Sequence, residues 1–312
     1  MIASTQKNIT HRTVGENAWL NQETEDIQDI FARQNVPPYK YEVLESEEAV
    51  GREMLDELQK VAHSKEGDVV MLLLGGRGAQ AMYCLINEKI PTGELDDLLS
   101  RLHVFTQDAL APMRMNNGFS FVRDFERLLG DEFFQKIKSF TPMQTDTDDL
   151  EGELIKYLEK LERLGGIDIF FLGLGPEANA ASHLAYIKPN SGAVFGDLAG
   201  IIPISETILE HHISKFKAGG SNVTAADEAE CRAATHILTL APAAILSARK
   251  VVQSIVDAST APNKIPSFRR VLETEISDDL TERGRQMDEN PGLWLRLHPN
   301  VRSLILPDLL EK

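Results

Sequence analysis

The chain has 312 residues, of which 42% are hydrophobic and 26% charged, an ordinary globular composition with enough apolar material for a sizeable core. Its formal charge of −16 argues against nucleic acid and anionic membrane surfaces as partners, because neutralising phosphates takes clustered Lys and Arg. A small anionic ligand is still permitted, since one local basic pocket suffices for it.

The first residues lack the apolar core of a signal peptide, and no apolar run approaches the roughly 20 residues that span a bilayer. The expected location is the cytoplasm. Two cysteines make no disulfide framework, and Cys84, inside Ala81-Met82-Tyr83-Cys84-Leu85-Ile86, reads as a small buried hydrophobe. Residues 1–40 are polar and irregular and read as an N-terminal extension, with a helix around Glu23 to Ala32 and a break at Asn35-Val36-Pro37-Pro38. Residues 41–312 form the expected single domain.

From Glu47 to Ala62 the apolar residues Val50, Met54, Leu55, Leu58 and Val61 recur at helical spacing. The period then changes. Val69 to Leu74 is a continuous apolar run ending in Gly75-Gly76, the pattern of a strand buried on both faces. The same grammar recurs at Leu102–Phe105, Ile167–Leu172, His236–Leu240, Ser254–Val256 and Ser303–Leu306, with a helix from Leu150 to Leu164 among them. Strands alternating with helices predict an α/β fold with a parallel sheet. Ligands in such folds sit outside the carboxyl ends of the strands, so the loops there are where chemistry is expected.

Four of those loops stand out. Gly75-Gly76-Arg77-Gly78-Ala79-Gln80 turns from strand into helix; glycines bring backbone N–H groups close to an anion, and Arg77 offers a charged fork. The alternative is a tight turn with a solvated Arg. Asp108 in Phe105-Thr106-Gln107-Asp108 is placed either for general-base work or as a helix N-cap. Gly173 to His183 combines tight backbone with Glu177, Asn179 and His183; the plainer reading is a loop with a surface His. Lys264 opens a helix, where a cation opposes the dipole unless an anion is near, although a solvated Lys is the commoner case. His211, His212 and His298 have no partner pattern and read as structural.

These loops, in this order, resemble the superfamily of glucosamine-6-phosphate deaminases and 6-phosphogluconolactonases from about Tyr41 onward. Gly165 to Asn179 is similar to the family stretch G-G-I-D-L-F-L-G-G-I-G-P-D-G-H, Phe105-Thr106-Gln107-Asp108 to F-N-M-D, and Gly75-Gly76-Arg77-Gly78-Ala79 to the phosphate loop G-G-S-T-P. Phe119-Ser120-Phe121 and Glu132-Phe133-Phe134 look like deaminase features, and the G-D-E-R motif of lactonases is missing. The resemblance implies a Rossmann-like parallel-sheet sandwich of the deaminase type, with no cofactor and no metal. It assigns Asp108 to proton transfer and Glu177 and His183 to ring opening. Gly75, Gly76, Arg77, Gly78, Asn179 and Lys264 would bind substrate. Without gaps Asn179 stands where the family has His; a short insertion would instead bring His183 there. The hydroxyls of the phosphate loop are absent, and a family Arg that grips phosphate has no counterpart near Gly200.

Two functions follow from the resemblance. One is isomerisation and deamination of glucosamine 6-phosphate or a related sugar phosphate, with lactone hydrolysis as its catalytic rival. The other is sugar-phosphate binding without turnover, by a sensor. The expected partner is a small-molecule sugar phosphate, with a homo-oligomer left open.

Overall fold

The computed structural model describes residues 26–175 and 193–311. Ten strands are present among them: β1 (Glu42–Val43), β2 (Val69–Leu73), β3 (Leu102–Thr106), β4 (Asp108–Ala111), β5 (Ser139–Thr141), β6 (Ile169–Leu172), β7 (Ala199–Pro203), β8 (His236–Leu240), β9 (Lys250–Ile255) and β10 (Val301–Ile305). Seven build one sheet in the order β1-β10-β9-β6-β2-β3-β5, every pairing parallel. The fold is α/β, as the alternation of apolar runs with helical periods predicts.

The strand register shows why those runs are continuous. Val69, Met71 and Leu73 of β2 join one apolar core, with the helices Glu47–Ser64, Gln80–Lys89 and Phe121–Leu129. Val70 and Leu72 join a second core on the opposite face, with the helix Leu150–Arg163. Both faces are covered, so no position in the strand is left for a polar residue. The helix Glu47–Ser64 starts where Ser46 Oγ accepts the Ala49 N–H, and Asp149 caps Leu150–Arg163 in the same way through Gly152.

β8 departs from the expectation of one parallel sheet. It lies between β4 and β7 in a separate three-stranded antiparallel sheet, where Asp108 pairs with Thr239 and Ala199 with Leu240. An apolar run states that a strand is buried but not which neighbour it takes. Cys84 also departs from expectation. It is exposed, because the helix carrying it turns Met82, Tyr83 and Ile86 inward and that residue outward. The helix Ile27–Ala32, inside the stretch read as an extension, is packed on the body: Phe31 stacks on Phe195 at 4.9 Å.

One buried carboxylate ties the sheet to its surroundings. Asp168, fully buried just before β6, accepts from Lys65 Nζ at 2.7 Å, from the Val70 N–H at 2.7 Å and from Arg249 Nη1 at 3.0 Å. Removing it strands two cations and an N–H. Asp168→Ala is expected to cost about 3–5 kcal/mol, a fall of roughly 10 °C in Tm by scanning calorimetry; a loss below about 1 kcal/mol would contradict this role. No helix among the described residues is long and apolar enough to cross a membrane.

Candidate functional site

Parallel strands deliver their carboxyl ends to one edge, and the register fixes which loops meet there. Leu73 at the end of β2 lies beside Thr106 of β3, and Leu172 of β6 lies beside Gln253 of β9. The chain just past these positions therefore converges. Gly75, Gly76, Gly78, Gln107, Asp108, Gly173, Leu174, Asp257 and Lys264 line a single cavity with about 600 Å³ of empty space, counting its open mouth.

The glycine loop is built by close approach. A Cβ at Gly75 would sit 2.3 Å from the Phe121 ring, so only glycine lets the strand end pass beneath that aromatic wall. Gly76 has φ +78, a left-handed backbone that costs glycine nothing. Ser254 Oγ donates to the Gly78 carbonyl at 2.6 Å and pins the loop to β9, while Tyr83 Oη donates to Leu74 at 2.8 Å.

The charged end of the cavity is a triad. Asp257, just past β9 and 2% exposed, has its Oδ1 2.7 Å from Lys264 Nζ and its Oδ2 paired with Lys215. Lys215 comes from the helix Glu206–Ala218 and Lys264 opens the helix Lys264–Glu273. Burial alone would raise the Asp257 carboxyl, but the charges of Lys264 and Lys215 outweigh it and hold it well below the usual range. Burial, aided by the Lys215 charge and opposed by Asp257, brings the Lys264 ammonium down to about 8. Two cations against one anion leave this end positive in a strongly acidic chain.

The same cavity also holds a buried carboxyl. Asp108, 3% exposed at the start of β4, has its carboxyl pushed well above the ordinary value by burial. It is a strand residue and not a helix cap. His211 also lines the cavity, held neutral by burial and then by Lys215 and Lys264, which bring it down to about 3. His212 and His298 are structural, their Nε2 atoms on the Phe119 and Ala248 carbonyls at 2.7 and 2.8 Å.

Arg77 is not where the phosphate-loop reading expects it. Its guanidinium forms a two-point pair with Glu47, with Nε 3.1 Å from Oε2, and it lines a neighbouring cavity instead. A carboxylate at the start of the adjoining helix captures the fork. The positive charge in the main cavity comes from Lys264 and Lys215 instead. Glu177, Asn179 and His183 lie outside the described residues. Sequence reasoning missed Lys215, His211 and Asp257. His211 and Lys215 are four apart and so share a helix face, and Asp257 follows a recognised strand; both signals were present.

No family model matches the chain. Among curated proteins, a glucosamine-6-phosphate deaminase of Bacillus pumilus is 26% identical over 157 residues, covering 50% of this chain and 52% of that protein. The chain thus spans about half the length of that relative. One of Staphylococcus epidermidis is 20% identical over 260 residues, covering 83% and 91%. A solved monomeric glucosamine-6-phosphate deaminase superposes with a TM-score of 0.65 at 21% identity, covering 87% of this chain and 98% of that one. The 6-phosphogluconolactonase of Trypanosoma brucei gives 0.60 at 15%, covering 88% and 98%. The chain is thus similar in sequence to glucosamine-6-phosphate deaminases and shares its fold with a solved deaminase and a solved 6-phosphogluconolactonase.

Proposed function

We propose that the cavity binds a sugar phosphate and that the protein isomerises and deaminates glucosamine 6-phosphate or a closely related amino-sugar phosphate in the cytoplasm. The observation that carries this reading is one cavity lined both by a lysine pair, Lys264 buried and Lys215 half-buried, and by a buried carboxyl, Asp108. The phosphate lies against Lys264, Lys215 and the N–H groups of the glycine loop, where charge-assisted hydrogen bonds favour it. The sugar then reaches toward Asp108.

The chemistry needs one group to move a proton between adjacent carbons. Ionised Asp108 takes the proton from C2 of the open-chain aldehyde, and the freed pair forms the C1–C2 double bond as the C1=O π pair moves to O1, which takes a proton from water to give the enol. The nitrogen lone pair then forms C2=N while the C1–C2 pair takes the proton back from Asp108 at C1. The C2 amine becomes an imine, which water converts to the ketone with release of ammonia. Burial suits the group to this task, because a carboxylate whose pKa is raised is a stronger base once ionised. Glu177 and His183 are assigned to ring opening on the resemblance alone.

The test is ammonia release from glucosamine 6-phosphate and other hexosamine phosphates, coupled to an indicator enzyme. Saturable turnover supports the proposal. Saturable binding with no ammonia from any of them refutes the enzymatic part and favours a sensor.

A further inference from the structure

Asp257 occupies the place in the cavity where an incoming anion would make its contacts. Both of its oxygens are already on the two ammonium groups, at 2.7 Å for Lys264, and all three side chains line the same space. The lysines reach it from two helices far apart in the chain, so the carboxylate does not belong to a local surface pair. It is also nearly inaccessible to water. Buried beside a ligand site, a fixed negative charge repels a second one much more strongly than it would in solvent.

The charge count follows. Lys215, Lys264 and Asp257 together leave one positive charge, and the remaining polar lining residues described, Gln107, Asp108, His211, His212 and Ser254, add no cation. A bare lysine pair would match a doubly charged phosphate ester. A pair already bridged by a carboxylate matches a singly charged group. We propose that Asp257 is a built-in counter-anion that determines specificity, so that the cavity accepts singly charged sugar esters as readily as the doubly charged phosphate. This rests on the sugar-phosphate reading above and narrows its ligand class by charge.

Two probes of the same shape isolate that charge: glucose 6-phosphate, mostly a dianion at pH 7.5, and glucose 6-sulfate, a monoanion. Calorimetric titration of the full chain is expected to give Kd values within about threefold of each other. In Asp257→Asn the preference is expected to move toward the phosphate by at least about tenfold. A wild-type preference for phosphate above roughly 30-fold overturns the inference, and so does an unchanged ratio in a folded Asp257→Asn. The wild-type ratio decides the matter even where the variant does not fold. Absence of binding by either ester to folded wild type refutes the sugar-ester reading itself, and this inference with it. Sugar-phosphate turnover with a strong phosphate preference refutes the inference alone.

Discussion

Asp108→Asn is expected to lower kcat for ammonia release roughly 100- to 10,000-fold, the usual contribution of a positioned acid–base group, while ligand Kd moves by no more than about threefold. Asn keeps the shape of the side chain but cannot take a proton from carbon. The same substitution is expected to stabilise the fold. Burial raises the native Asp108 carboxyl, so above the ordinary carboxylate range the unfolded chain ionises there more readily than the native chain. The wild-type protein's Asp108 contribution is therefore complete below pH about 4 and is lost progressively as pH rises toward the native value. Melting curves should show Asp108→Asn matching wild type near pH 4 and gaining on it through neutrality. A variant that loses both activity and stability at pH 7 would show that Asp108 is held as a structural group.

Lys264→Met is expected to raise Kd for a sugar phosphate roughly 10- to 100-fold, the loss of one hydrogen bond between charged groups. Stability should fall by up to about 3 kcal/mol, the low side for breaking a buried pair, because Lys215 still holds Asp257. The wild-type pH profile carries the same signature. Lys264 is a cation below about 8 and loses its charge above it, so kcat/KM should decline through that region on the alkaline side. A bound phosphate favours the charged form, so kcat should hold to higher pH than kcat/KM. An alkaline decline in kcat alone would place the titrating group elsewhere.

How far the sequence spoke depended on what each residue had to do. Where a segment had only to be buried, as in Val69–Leu73 or Ile169–Leu172, composition and period were enough to place a strand. β9 was seen only at its end, because Gln253 and Ser254 interrupt the apolar pattern; Gln253 is fully buried yet satisfied, receiving hydrogen bonds from Tyr39 and Ser303 at 2.7 Å. β5 and β1, with three residues and two, are too short to carry a period. The site divided in the same way. Backbone demands were legible in the glycines, and a charged residue of the cavity was legible in Lys264, whose placement at a helix start opposes the dipole. Which other charges would join it depends on tertiary approach. Glu47 reaches Arg77 across thirty residues of chain, and Lys215 reaches Asp257 across 42, distances over which no local pattern speaks.

The account turns on one cavity holding phosphate at the lysines and carbon at Asp108. A crystal structure of the protein soaked with a hexosamine 6-phosphate tests it most directly. The predicted density places the phosphate within hydrogen-bonding distance of Lys264 Nζ and Lys215 Nζ, with C2 of the sugar facing the Asp108 carboxyl. A phosphate seated instead against Arg77 in the neighbouring cavity, or a sugar that turns away from Asp108, would contradict it.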